Sequence, residues 1–277
     1  MFPEFYRIGM FALRAWGVTL TLSFFIGLWL LKYEARALRL DYERLFNLGF
    51  LVSIIGVIGA RLSYVLFHLD EFAAEPWDIV NPMAVEGQFG IAGMNLYGGV
   101  VLAILAGTWY VRRRKLPFFD YSDAVVVALA SGIFLARIGC FLNGCCYGTP
   151  TDSFLGVVFP PDSPAGSMYP DMHIHPTQLY ASGFGLLLFF LLRAINRRRH
   201  FSGQTMALFF MAEAVFRFLL EFIRHYEPEM VLGAGGLTYN QLIAVGLFLF
   251  GAIIYYLRRR GGPAVKPLQH PHKQSHG

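Results

Sequence analysis

Charge is scarce in this chain. Asp, Glu, Lys and Arg make up 15% of its 277 residues, against about a quarter in an ordinary soluble domain. Hydrophobic residues make up 56% and the mean hydropathy is +0.49. Together these exclude a typical soluble globule and point to an all-α polytopic membrane protein. Cysteine is scarcer still: there are three, all between positions 140 and 146, which excludes a disulfide framework. Their Cys-x4-Cys-Cys spacing matches no standard zinc pattern, although His173 and His175 follow downstream. Tight packing of small, weakly polar side chains is the expected role, and neither a metal nor another cofactor is expected. The start of the chain has no early basic region and no small-residue cleavage site before its first apolar stretch, so that stretch reads as a helix that stays and not as a cleaved signal. The net charge of +5 does not indicate nucleic acid as a partner, because the basic residues form short clusters between apolar runs with no basic stripe interleaved with aromatics.

What is present is a set of seven apolar stretches, near residues 12–31, 46–67, 91–111, 121–142, 178–195, 204–223 and 238–257. Each approaches the ~20 residues needed to cross the hydrocarbon core. The fifth stands out because polar residues crowd its start. Basic clusters occupy alternate connections: Lys32 to Arg44, Arg112 to Lys115, Arg193 to Arg199, and Arg258 to Arg260. Residues 68–90, with Asp70, Glu71, Glu75, Asp78 and Glu86, contain no Lys or Arg, and residues 143–177 contain none either. The positive-inside rule then predicts seven transmembrane helices with the N-terminus outside and the C-terminus in the cytoplasm. Residues 1–260 read as one transmembrane unit. The proline-rich stretch 143–177 is too long for a simple link and is expected to form a small extracytoplasmic element between the fourth and fifth helices. Residues 261–277 are polar and read as a disordered cytoplasmic tail.

Few charges remain inside the apolar stretches. Arg61, Arg137 and Arg217 are there, with Glu213 and Glu221 as the acids clearly inside. A charge at the bilayer centre costs on the order of 3 kcal/mol, so each needs a partner or a function. Arg217 and Glu221 stand four residues apart with Glu213 one turn earlier, a spacing that allows a neutralised ladder on one helical face. Arg61 and Arg137 have no acid nearby in sequence. Arginine keeps its charge, and the abundant anion of a bilayer is the phospholipid phosphate. Around Arg137 the run Ala136–Gly148 adds Asn143, the three thiols and Gly139, Gly144 and Gly148, a polar composition tolerated at membrane depth only inside protein or along a cavity. Arg224, His175, Gln178 and Tyr180 fall at the same predicted boundary. Tyr97, Gly98 and Gly99 open the third stretch, where glycines serve either backbone approach to a ligand or helix packing.

Taken in order, these pieces resemble the prolipoprotein diacylglyceryl transferase family. They are Gly59–Phe67, Tyr97-Gly98-Gly99, Ala136–Gly148, His175-Pro176-Thr177-Gln178-Leu179-Tyr180, Arg217-x-x-x-Glu221-Phe-x-Arg224 and Leu237-Thr238-x-x-Gln241. The resemblance implies a multi-pass protein of the bacterial cytoplasmic (inner) membrane. Its partners would be phosphatidylglycerol and the signal peptide and lipobox cysteine of a prolipoprotein. The reaction moves the diacylglyceryl group to the cysteine thiol, forming a thioether and releasing glycerol phosphate. By the same resemblance Arg137 and Arg217 hold the phosphoglycerol head group, with Glu221 orienting an arginine and Tyr97 among the catalytic group. Asn143, Gly148, Gly98, Gly99, Arg61, His175, Gln178, Tyr180 and Arg224 contribute to substrate binding, Arg61 from a supporting position. Many members carry histidine before the Gly-Gly pair, asparagine where Cys140 stands and glutamate where Cys145 stands. A phenol is a weak base near neutrality, so Tyr97 does not stand in for a histidine base, and His175 would do so only by reaching the pocket. Two other readings use the same residues: a related transferase with a different acceptor, and a non-enzymatic protein that binds an anionic lipid.

Overall fold

A computed structural model describes residues 4–8, 11–81, 93–226, 231–232 and 236–261. Glu86 and the tail from residue 262 lie outside these. A short hairpin, β1 (Glu4–Ile8) and β2 (Phe11–Arg14), precedes α1 (Ala15–Leu38) and α2 (Tyr42–Phe67). There follow α3 (Leu69–Ala74), a 3-10 turn at Pro76–Ile79, α4 (Leu96–Arg113) and α5 (Phe118–Asn143). Next come β3 (Val157–Val158), α6 (Pro164–Met168), β4 (His173–Ile174), α7 (Thr177–Arg197) and α8 (Gln204–Leu220), which runs on as a 3-10 turn at Glu221–Ile223. The ribbon β5 (Val231–Leu232) with β6 (Leu237–Thr238) leads into α9 (Tyr239–Gly261).

Each of the seven apolar stretches carries a helix over most of its described residues. By length and composition α1, α2, α5, α7 and α9 are sufficient to cross a membrane. The 18-residue α4 and 17-residue α8 are shorter. The protein is therefore a mostly helical, polytopic membrane protein. Three two-stranded ribbons amend the all-α expectation. Strands of two to five residues are too short to leave a period-two signature in the sequence.

The helices pack as α1 on α5, α2 on α4, α5 on α7 and α8 on α9. One core joins Leu28, Leu31, Leu45, Leu48 and Val111 with Tyr121 and Ala124. Another joins Leu30, Val127, Leu188, Leu192, Met206 and Phe209. Outward faces carry exposed Phe25, Trp29, Leu66, Ile104, Leu187 and Leu249, apolar surface that suits lipid and not water. Gly98 and Gly99 let α4 lie against α2: an added Cβ would come 2.0 Å from Ser63 Cβ at the first and 2.7 Å from Gly56 O at the second. Of the two roles open to this pair, helix packing is the one these contacts account for.

Burial also corrects the inventory of buried charge. Glu34 and Asp120 lie where α1 and α5 run past the apolar stretches that announced them, whereas Asp123 sits inside the fourth stretch, near its start. Asp123 accepts from Arg199 Nη1 at 2.6 Å and from the backbone N–H groups of Gly203 and Met206, each at 2.8 Å. Arg199 also bonds Asp120, which takes the Ser202 hydroxyl at 2.7 Å. Glu34 faces Arg193 at 3.5 Å and accepts from Asn196 at 2.8 Å. Part of the basic cluster at 193–199 thus anchors helices.

Candidate active site at one end of the helix bundle

The opposite end gathers the end of α5, the start of α7, the end of α8 and the starts of α4 and α9. The last turn of α5 closes on Gly144, whose left-handed backbone (φ 68°) lets its N–H reach the Cys140 and Phe141 carbonyls. Residues 144–176 then fold back as the small element expected from the prolines, with Phe159, Ala165 and Ile174 forming a core of their own. It is tied to the helix ends by backbone bonds from Gly148 N to His175 O (3.0 Å), Thr149 N to Ile223 O (2.9 Å) and His225 N to Tyr147 O (3.2 Å). Gly148 has no room for a side chain: a Cβ there would sit 2.6 Å from both His175 Cβ and Ile223 O.

The polar start of α7 is explained by what it holds. Thr177 Oγ1 donates to Cys146 O and Gln178 Nε2 to Cys145 O, each at 2.7 Å, and both side chains are buried. His175 pairs with the Tyr180 hydroxyl at 3.2 Å. His225 stacks on Tyr147 and bonds the Tyr169 hydroxyl at 2.8 Å.

The charged centre lies on the last turn of α8. Arg217 Nε is 3.1 Å from Glu221 Oε1, on a fully buried carboxylate, and Arg224 Nη1 is 3.9 Å from the same oxygen. The lower half of the expected ladder is therefore formed. Glu213 forms no upper half within ion-pair distance among the described residues, and its Oε2 is buried with no hydrogen-bond partner. Arg137 projects into the same field: its charge acts on Glu213, on Arg217 and on Cys146. Three guanidiniums thus face two carboxylates, an excess of positive charge in a partly desolvated pocket. At its edge Tyr226 is pushed up to about 12 by burial.

Glu221 carries the connection further. Its Oε2 accepts from the Thr238 hydroxyl at 3.2 Å and Asn240 Nδ2 at 3.5 Å, and Asn240 Oδ1 accepts the Tyr97 hydroxyl. Hydrogen bonds link Tyr97, Asn240 and Glu221, and an ion pair extends the chain to Arg217, across α4, α9 and α8. The Leu237-Thr238-x-x-Gln241 motif is the capping box that starts α9: Thr238 N donates to Gln241 Oε1 (2.9 Å) and Gln241 N to Thr238 Oγ1 (3.2 Å). Asn240 escaped the sequence reading because it sits at one of the two unspecified positions of that motif, and its reach to Tyr97 spans 143 residues.

Two expected members stand apart. Arg61 donates to Ile79 O (2.9 Å), Asp78 O (2.7 Å) and Gly93 O (3.1 Å) and lies over the Phe72 ring. These bonds tie it to the connection after α2, in keeping with the supporting position expected of it. Gly98 and Gly99 are occupied with packing, as described above. The three cysteines converge: their sulfur atoms all lie within 4.8 Å of one another and none is in a disulfide. Hydrogen bonds shared with Cys140 and Cys145 pull the Cys146 thiol down from its ordinary range, and the charges of Arg224 and Arg137 act in the same direction.

A family model described as prolipoprotein diacylglyceryl transferase matches residues 3–257. A protein of Bordetella avium, named phosphatidylglycerol–prolipoprotein diacylglyceryl transferase, is 35% identical over 271 residues, covering 94% of this chain and 97% of the relative. A Geobacter sulfurreducens protein of the same name is 33% identical over 268 residues with the same two coverages. One from Vibrio vulnificus is 29% identical over 264 residues, 94% of this chain and 92% of the relative. With the whole helical frame matched and the charged centre in place, the chain belongs to the prolipoprotein diacylglyceryl transferase family.

Proposed function

We propose that this protein transfers the diacylglyceryl group of phosphatidylglycerol to the lipobox cysteine thiol at the end of a prolipoprotein signal peptide. The observation that carries this reading is Arg217 and Arg224 on Glu221, with the Arg137 charge acting on Arg217 and Glu213, so that positive exceeds negative charge in a region partly withdrawn from water. Arg137 and Arg217 hold the phosphate of the donor and stabilise the charge that grows on it as it leaves. Glu221 aims Arg217, and the Tyr97–Asn240 pair fixes Glu221 from the other side. The orphan oxygen of Glu213 offers an acceptor for a glycerol hydroxyl. Asn143, Gly148, His175, Gln178 and Tyr180 build the wall on which the acceptor lies. The thiolate attacks the glyceryl carbon next to the phosphate ester, the C–S bond forms, the C–O bond breaks, and glycerol phosphate departs with the electron pair.

The same reading places all seven helices across the bacterial cytoplasmic membrane, α4 and α8 included. The N-terminus is outside, the basic connections and the C-terminal tail are in the cytoplasm, and the 143–177 element lies on the outer face where precursors emerge. Purified protein incubated with phosphatidylglycerol and a lipobox peptide is expected to yield a thioether-linked diacylglyceryl product by mass spectrometry. Arg137→Ala and Arg217→Ala are each expected to lower that rate by roughly 100- to 1,000-fold. Full activity in either variant would eliminate the phosphate clamp. Release of glycerol phosphate with an unmodified lipobox peptide would point to another acceptor.

A further inference from the structure

The cysteine cluster has no part in the phosphate clamp, yet its construction is deliberate. Cys146 adopts a left-handed backbone (φ 60°), a conformation that costs a non-glycine residue of order 1 kcal/mol or more and persists where the surroundings enforce it. Thr177 and Gln178 enforce it here by gripping the two adjacent carbonyls. The result turns two successive side chains toward Cys140 on the last turn of α5. Packing alone does not require this, because Cys145 and Cys146 are only partly buried. Three sulfurs within 4.8 Å of one another are close to the separation imposed by a single metal. With Zn–S near 2.3 Å, a tetrahedral zinc spaces its sulfurs by roughly 3.8 Å, so rotamer shifts of about 1 Å or less close the set.

We infer that Cys140, Cys145 and Cys146 form a three-thiolate zinc site whose open fourth position takes the acceptor cysteine thiol. The inference rests on the transfer reading above. No further His, Asp or Glu joins the three thiols among the described residues, and three protein ligands with one open position are the pattern of a catalytic zinc, not a closed structural one. Soft thiolates select zinc over the harder divalent ions. A thiol that coordinates zinc is deprotonated outright: its proton goes to solvent and the sulfur stays nucleophilic on the metal. Three thiolates and a fourth from the substrate leave a zinc centre with two net negative charges, and Arg137 and Arg224, whose charges act at Cys146, offset them. The same arginines would lie beside the donor phosphate, which brings the activated sulfur to the carbon it must attack. Zinc is not consumed: the Zn–S bond to the acceptor gives way to the new C–S bond, and the product thioether dissociates as a weaker ligand.

The test uses the full-length protein in detergent, kept reduced, with Co(II) as the spectroscopic stand-in for zinc. One cobalt per chain with an intense thiolate-to-metal charge-transfer band is expected, and Cys140→Ser, Cys145→Ser and Cys146→Ser should each lose that stoichiometry. Adding a lipobox peptide should change the ligand-field spectrum as a fourth sulfur enters, while the same peptide with serine in place of its cysteine should not. The wild-type spectrum answers the question even where a serine variant fails to fold. Absence of cobalt binding by folded wild-type protein, or a bound-cobalt spectrum indifferent to the cysteine peptide, overturns the proposal. Undiminished transfer by chelator-stripped protein, shown metal-free by mass spectrometry, overturns it while leaving the transferase reading intact. Absence of product from zinc-loaded and stripped protein alike removes the transferase reading, and this proposal with it.

Discussion

The two ends of the helix bundle handle buried charge in opposite ways. At the end where α5 begins, Asp123 is fully buried and takes one guanidinium and two backbone amides, all within 2.8 Å, while Asp120 completes Arg199. Two carboxylates share the one Arg199 guanidinium there, and the carboxylate oxygens are held by short hydrogen bonds. At the end where α5 finishes, the ion pairs are longer, at 3.1 and 3.9 Å. Orphan oxygens remain on Glu213, Gln178 and Tyr226, and arginine outnumbers carboxylate. A closed network fixes helices, and a network with spare charge and unused acceptors holds a place for something else. The same helices carry both, so the contrast separates short-bonded from loosely bonded charge within one molecule.

Breaking the closed end should have the largest effect on stability. Asp123→Ala strands Arg199 and two amides and is expected to cost about 3–5 kcal/mol, read as a fall in the thermal midpoint in detergent. Activity per folded molecule at that variant should stay near wild type. Arg217→Ala is the mirror case, with activity lost as stated above and a smaller fall in the thermal midpoint, because Arg224, Thr238 and Asn240 still face Glu221. A midpoint that fell as far in Arg217→Ala as in Asp123→Ala would erase the distinction between the ends. Gly148→Ala tests the join between the folded 144–176 element and the α8 end. Its methyl meets backbone on one side and His175 on the other, and overpacking of this kind costs about 1–3 kcal/mol, visible as lower stability together with lower transfer. The smallest effect is expected from Asn240→Ala, which cuts the link from Tyr97 to Glu221 and removes about 0.5–1.5 kcal/mol of hydrogen bonding. That corresponds to a severalfold to tenfold drop in kcat with little change in KM, and the same drop should follow from Tyr97→Phe. If the double variant fell by the product of the two single effects, the pair would be acting independently and not as one chain.

Periodicity and charge alone foretold a helix in each of seven apolar stretches, the folded proline-rich element, and that Arg137, Arg217 and Glu221 are charges in apolar surroundings that need an account. These are local properties: an apolar run is readable residue by residue, and an arginine inside one declares its cost wherever the chain goes. The resemblance added the chemistry. Helix ends were less legible, because α1 and α5 continue into charged residues whose partners lie on other helices. Arg61 illustrates this. In sequence it is an arginine in an apolar run, and only the folded chain brings the carbonyls of Asp78, Ile79 and Gly93 to it.

The sequence by itself determined that this protein lives in a membrane, which stretches are helical and which charges must be accounted for, since those follow from transfer free energy along the chain. The tertiary structure alone decided which charges neutralise one another and which stay unmatched. It also paired Tyr97 with Asn240 and brought three thiols to one point. Those outcomes depend on distances between residues far apart in the chain, which hydrophobic patterning does not encode.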